Sequence, residues 1–482
     1  MPLIWRAVRK ARSLTALAEV FGAELDGSSC VVRDVDIAEP VQLEGVRAGR
    51  LELHDVLVDS QLVLRGCFID SLVISGCRAA SILLVNCHIS QLAVRKLAAA
   101  ENLVISGGEY VYVAVHDVGA VSLLDARCSG TVTITGPRRD VRAIRLTCGD
   151  LTIAEQVSAR SASAQITLAE CEIVGSLRVR DLHVSVVSVR QCHLERHLFL
   201  QRLVVSEALL IDQVRCVLHA TLDCVTVAAD RAEIVGCAFG DGLDARRLAR
   251  SEPGSGRFVL RMLQSGVSGS LRFTVDAEPG RVLLHDTTVA GRLDFPEATA
   301  ECELAGSTVI ADLELPGTPM RTVRDIRSFV QARFGSSRVL GLAALRQALA
   351  SRQRMTESDL CYFLQRNAEA DQQHRTARWL AKTVFGGVLG WGVRWWEPFR
   401  ALLAGILLTG LVLFTRDARP VPLPVRLVDN LVLAAALWLN VGTGSPQLLT
   451  SPGWAAAATA LTAAGLILIT VLVGITIRRL IR

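Results

Sequence analysis

The stretch QLVLRGCFIDSLVISGCRAASILLVNCHISQLAVRKLAAA, residues 61–100, decides the fold. Cys67, Cys77 and Cys87 recur every ten residues, and the apolar positions around them are Leu62, Leu64, Ile69, Leu72, Ile74, Ala79, Ile82, Leu84, Ile89, Leu92, Val94, Leu97 and Ala99. The steps alternate between two and three residues. A helix repeats its buried face about every 3.6 residues and a half-buried strand about every two, so a five-residue beat fits neither. It fits short strands joined by corners. The same phase runs backwards through Val58, Val56, Leu53, Leu51, Ala48, Val46, Leu43 and Val41 with one extra residue between the runs, and it resumes after a single insertion at Leu103 and Ile105. These slips read as bulged corners.

A fixed internal period signals a solenoid. Four sides of five residues make a coil of about twenty, stacked on the next coil at roughly 4.8 Å, the spacing of paired strands. The expected rod is a right-handed parallel β-helix in which Leu72, Ile74, Ile82 and Leu84 point inward while Arg65 and Ser75 point outward. Later pieces keep the beat: GSLRV at 175–179, GSLRF at 269–273, GRLDF at 291–295 and ADLEL at 311–315 each place two apolar residues one apart, and the last three are spaced by 22 and 20 residues. On these residues the stretch 30–316 resembles the pentapeptide-repeat and related β-helix domains of bacteria.

Composition bounds the class. The chain has 482 residues, 51% hydrophobic and only 21% charged, with a mean hydropathy of +0.38, too apolar for an ordinary soluble protein of this length. The net charge of +5 is spread along the chain rather than clustered, so nucleic acid is not expected as a partner. Residues 1–22 carry Arg6, Arg9, Lys10 and Arg12 in an amphipathic pattern without a secretory apolar region. The thirteen cysteines are therefore expected to be reduced and cytosolic, serving as small core residues. No CxxC pair is present. The best metal candidate is CHLERH, with Cys192, His193 and His197, beside a second Cys-His pair at Cys87 and His88. On a strand, adjacent residues point to opposite faces, so no metal is expected. Asp125, Asp212 and Asp223 are dispersed rather than paired for acid–base work, and EPGSGR at 252–257 lacks a dinucleotide or phosphate-loop pattern. It reads as a loop within a polar insertion, 240–257. No cofactor and no catalytic residue is expected, and the chain is not read as an enzyme.

Past residue 318 the five-residue beat ends. Between 322 and 376, apolar residues fall three and four apart, as at Leu342, Leu345 and Leu349 and at Leu360, Phe363 and Leu364, so this part reads as helices. SRQRMTESD at 351–359 reads as a turn with a helix starting near Thr356, Glu357, Ser358 and Asp359. ESDLCYFLQRNAEADQQHR, 357–375, resembles the helical connector of bacterial proteins that join a repeat domain to a two-helix membrane pore. Three uncharged pieces follow. Residues 401–414 are extended towards a tryptophan-rich interface by Trp395, Trp396, Pro398 and Phe399, with only Arg400 between, and 454–476 is long enough to cross a bilayer alone. Between them, 431–444 has the length of a re-entrant segment and follows a hydrophilic, proline-rich link, RDARPVPLPVR. Lys382, Arg394, Arg400, Arg478, Arg479 and Arg482 on the outer flanks oppose Arg416, Arg419 and Arg426 in the link, which places both termini in the cytoplasm.

Span, short helix, glycine-broken loop and span is the plan of a potassium-channel pore. Residues 440–444, NVGTG, resemble its filter Thr-Val-Gly-Tyr-Gly, matching at Val441, Gly442 and Gly444 and departing at Asn440 and Thr443. GWGVRWWEPFR, 390–400, resembles the approach to the first span in bacterial channel-like proteins, with Trp391, Pro398 and Arg400 at the mouth. The resemblance implies a homotetramer in the inner or plasma membrane that passes monovalent cations, with lipid and an unidentified protein partner of the β-helix as its other contacts. Two further readings stand beside it: a non-conducting membrane-anchored scaffold, and a membrane-associated, oxidoreductase-like enzyme without a recognisable cofactor site. The expected order is an N-terminal amphipathic cap over 1–29, the β-helix over 30–318, a helical connector over 319–394 and the membrane domain over 395–482.

Overall fold

The computed structural model describes residues 29–480 apart from 38, 98–101, 156–163, 228–231, 251–258, 276–279, 295–299, 316–318, 336, 418–420 and 442–451. The expected N-terminal cap therefore lies outside the described residues, save Ser29. The chain divides into two compact units, one comprising 1–315 with 332–337 and the other 316–331 with 338–482.

The first unit is a parallel β-solenoid of about 12 turns. Gln61–Arg65 pairs in parallel with Ser81–Val85, which pairs with Asn102–Ser106, steps of twenty and twenty-one residues. Leu72, Ile74, Ile82 and Leu84 are fully buried, Arg65 is exposed and Ser75 is half-buried. One inward column runs Cys30, Leu51, Leu72, Leu92, Val113, Val132, Leu151, Leu177, Leu198, Ala220, Leu243, Leu271, Leu293 and Leu313, each hydrogen-bonded in register with the next coil. The pieces that share a motif in sequence thus stack: Leu177, Leu271, Leu293 and Leu313 all belong to this column. Longer coils absorb insertions. Val141 pairs with Ile166, twenty-five residues on, and Ala232 with Leu260, twenty-eight on.

Two corners per coil turn through left-handed backbone. One column of such residues runs Gly45, Gly66, Asn86, Gly107, Asp125, Arg145, Glu170, Gln191, Gln213, Gly236, Gln264, Asp286 and Gly306, all at positive φ. From Gly45 to Asp286 each amide along it reaches a carbonyl of the next coil, as in Gly66 N–H to the Val85 carbonyl at 2.9 Å and Asp125 N–H to the Ile144 carbonyl at 3.0 Å. Left-handed backbone costs a non-glycine residue about 1–2 kcal/mol, so the stacked hydrogen bonds must hold these corners. The slip between Val58 and Leu62 is a bend at Asp59 and Ser60, as expected of a corner, whereas the one before Leu103 falls on 98–101, outside the described residues. The expected polar insertion at 240–257 is corrected: Gly242–Arg250 is a strand that pairs with His219–Val227 and Ser270–Val275. Arg246 and Arg247 misled because they stand exposed at one corner of a strand whose Leu243, Ala245 and Leu248 are buried.

Helices follow: α1 (Val323–Phe334), whose residues 332–334 are assigned to the first unit, and then, in the second, α2 (Arg338–Ser351), α3 (Met355–Asp371), α4 (Arg375–Leu380), a π-helical turn (Ala381–Val388), α5 (Trp396–Arg416), α6 (Leu423–Leu439) and α7 (Pro452–Leu480). Thr322 and Asp325 cap α1 reciprocally, each side chain accepting from the other's amide at 3.2 and 2.9 Å. The α2–α3 turn lies where the sequence put it. Glu357 in the first turn of α3 accepts from Arg354 at 2.9 Å and from the Met320 amide at 3.1 Å. Leu342, Leu345, Leu349 and Leu364 are buried, with Leu360 and Phe363 half-buried beside them. Helices α5 and α7 are each long and apolar enough to cross a bilayer, and both expose large apolar residues, among them Leu408 and Leu411 on α5 and Ile467 and Ile477 on α7. The first candidate span is longer than the fourteen uncharged residues at its centre, because it recruits Trp396–Arg400 at one end and ends on Arg416.

Candidate pore segment

Helix α6 is the element on which the pore reading turns. It begins at Leu423, inside what the sequence suggested was a hydrophilic link, so the expected segment 431–444 starts too late. The reason lies in proline chemistry: Pro422 caps the helix and Pro424 falls in its first turn, where a missing amide hydrogen costs no intrahelical bond. At the other end the helix stops at Asn440 (φ 54°, ψ 34°), and the Val441 amide returns to the Ala436 carbonyl at 3.0 Å. Asparagine is one of the few residues with a side chain that adopts this left-handed cap readily. Asn440, where the resembled filter has threonine, is thus the helix terminator. Val441 is exposed, and Gly442, Thr443 and Gly444 lie outside the described residues.

Neighbouring helices hold α6 by close backbone approach. A Cβ on Gly410 of α5 would stand 2.6 Å from Leu431 Cδ2, and one on Gly405 would collide with the Trp438 indole. On the other side, a Cβ on Gly465 of α7 would collide with the Trp438 carbonyl. Trp438 Nε1 donates to Thr409 Oγ1 at 3.0 Å, and Thr462 Oγ1 donates to the Leu437 carbonyl at 3.0 Å, satisfying an end-of-helix acceptor. At the start of α6, buried Asn430 donates to Asp417 Oδ2 and to the Arg426 carbonyl, both at 2.8 Å, while the Arg426 guanidinium lies 4.5 Å over Phe414. These contacts fix the depth of the helix. Its start lies against the end of α5, and Trp438, near its end, lies against the middle of α5 and the middle of α7.

The residues expected at the pore mouth cluster before and at the start of α5. Trp391 adopts φ 50°, donates through Nε1 to Asn367 Oδ1 at 3.1 Å and stacks on Phe385 at 5.9 Å. Pro398 is buried in the first turn of α5, and Arg400 is exposed, 3.9 Å from Glu397. Sequence reasoning missed Thr409, Thr462 and the three packing glycines. The visible signal was the small residues within the apolar runs, which permit close helix approach in lipid.

Among the described residues of the solenoid, histidines, cysteines and acids are spread over many coils. No group of three or more metal-ligating side chains comes together there. Cys192 points inward and His193 is half-exposed on the outer face, as strand alternation requires. All thirteen cysteines are free thiols, and burial pushes Cys216 and Cys237 up to about 11 and Cys361 up to about 12. Asp125 accepts from Arg145 of the next coil at 2.5 and 2.9 Å, which holds its carboxyl below the usual range, and Asp223 accepts from Arg247 at 2.7 Å. Each is ion-paired with an arginine of the neighbouring coil. No protein-family model, no curated protein and no solved structure matches the chain at a significant level.

Proposed function

We propose that the protein is a non-enzymatic membrane protein in which a cytoplasmic β-solenoid, a scaffold or sensor for a protein partner, is joined to an oligomeric, channel-like pore that passes monovalent cations. The observation that carries this reading is the depth of α6. Its uncharged part, Asn430 to Leu439, is ten residues, about 15 Å at 1.5 Å per residue, or roughly half the hydrocarbon thickness of a bilayer. A helix that ends level with the middle of two spans leaves the chain at membrane depth, where backbone outside a helix is tolerated only against protein or a water-filled cavity. The carboxyl end of α6 carries the negative end of the helix dipole, which favours a cation at that depth. Four copies of 440–444 around an axis would offer carbonyls in place of a hydration shell. The excess of basic residues on the outer flanks orients both termini and the solenoid to the cytoplasm of an inner or plasma membrane.

The test is flux through purified, reconstituted protein together with its oligomeric state in mild detergent. A tetramer that conducts, and that loses conductance without losing its size when Gly442 is replaced by valine, is the expected result. A monomer that passes no ions at any voltage or pH overturns the pore and leaves an anchored scaffold.

A further inference from the structure

Every residue of α4 is exposed, Trp379 by 65%, although the helix sits in a packed unit next to an apolar span. The exposed aromatic surface continues through Phe385 to Trp396, where α5 begins. Basic residues accompany it. Between 375 and 400 there are Arg375, Arg378, Lys382, Arg394 and Arg400 against a single acid, Glu397. Lys382 is 2.5 Å from Asp371 and Arg394 lies 3.8 Å over Phe363, but Arg375 and Arg378 are exposed and pair with no acid among the described residues. Exposed tryptophan beside unpaired arginine is stable in one setting above others, the headgroup layer of a bilayer, where the indole lies among the acyl ends and the guanidinium meets phosphate.

Resting on the membrane reading above, we propose that residues 375–400 form a recognition surface for anionic phospholipid, with Arg375 and Arg378 on headgroup phosphate and Trp379, Phe385 and Trp396 in the interface. The occupant follows from continuity with the first span, which begins within this segment, and from charge, since a net excess of four positive residues favours anionic over zwitterionic lipid. Glycerophosphate headgroups, not a soluble phosphate, satisfy both the arginines and the aromatics.

The full chain is reconstituted in phosphatidylcholine bilayers that contain equal fractions of either brominated phosphatidylglycerol or brominated phosphatidylcholine, with the bromine near the glycerol, and tryptophan fluorescence is read. Brominated phosphatidylglycerol should quench more strongly. Trp379→Phe should remove much of the difference, and Arg375→Gln with Arg378→Gln should reduce the preference by about fivefold or more, the factor that a single basic residue contributes at an anionic surface. Both arginines are exposed, so the double variant should fold as the wild type does, which far-ultraviolet circular dichroism checks. Equal quenching by the two lipids, or a preference that survives in the double variant, overturns the proposal while the membrane reading stands. A chain that floats with neither kind of vesicle overturns the membrane reading and this one with it.

Discussion

At single positions the solenoid explains its own cysteines. The residue that follows the left-handed corner is Cys67, Cys87, Cys171, Cys192 and Cys237 in five coils, and Ser265 and Thr287 in the next two. The Sγ atoms of Cys67, Cys87, Cys171 and Cys237 reach carbonyls of the preceding coil at 3.3–3.5 Å, and Thr287 Oγ1 reaches the Met262 carbonyl at 3.1 Å. In these coils the position takes a small side chain with a donor, whereas Val46, Ala126, Leu146 and Val214 fill the same place in others without one. Cys237→Ser should therefore change stability by no more than about 0.5 kcal/mol, whereas Cys302→Ser, in a fully buried wall position, should cost about 1–3 kcal/mol for a hydroxyl without an acceptor. Thermal unfolding followed by circular dichroism separates them, and equal losses would show that the corner carbonyls do not matter. The ten-residue recurrence of cysteine was legible in the sequence. The hydrogen bonds that these side chains make were not, because Ser265 and Thr287 break the apolar pattern and Val46, Ala126, Leu146 and Val214 fill the same place without a donor.

At the scale of elements, regular pairing was easier to read than helix boundaries. The β-solenoid follows from a period that no other element satisfies, whereas the start of α6 was hidden by Pro422 and Pro424, which signal a break in mid-helix but are at home in a first turn. The packing of α6 was hidden too, since a glycine in an apolar run does not declare which neighbour it meets. The structure makes that distinction. Gly465 has no room for a Cβ against the Trp438 carbonyl, while Gly474, nine residues on in the same helix, has nothing within 4 Å. Gly465→Ala should push α6 off α7, break the Thr462 to Leu437 hydrogen bond and cost about 1–3 kcal/mol, as overpacking does. Gly474→Ala should be neutral or slightly stabilising, since alanine is the better helix former. Unfolding in mild detergent, read through tryptophan fluorescence, compares the two. If Gly465→Ala matched Gly474→Ala, α6 would not be clamped at this depth.

At the scale of the whole molecule, a rod of stacked coils has stability of a particular kind, because each coil touches only its neighbours and the core is one or two side chains thick. Damage to one coil cannot be shared across a large interior. Leu84 is fully buried and pairs in register with Leu64 below and Ile105 above, so an aspartate there would face apolar columns with no partner for its charge. The loss should approach the whole margin of a typical domain, about 5–15 kcal/mol, and unpair the stack on both sides. Length added outside the walls should behave differently. The coil that joins Ala232 to Leu260 already carries twenty-eight residues, yet Leu243 and Ala245 within it stay in register with the coils on both sides, and the one register shift falls between Ala245 and Leu248. Extra chain in its connecting segment, 251–258, adds only loop-closure entropy, about 0.6 kcal/mol for each doubling. A chain with eight glycine and serine residues inserted there should therefore express, melt and resist protease much as the wild type does, while Leu84→Asp should aggregate or be degraded. A soluble, protease-resistant Leu84→Asp protein, or an insertion at 251–258 that abolishes folding, would mean that the coils are not held by the inward columns, and the nearest-neighbour picture of this rod would fail.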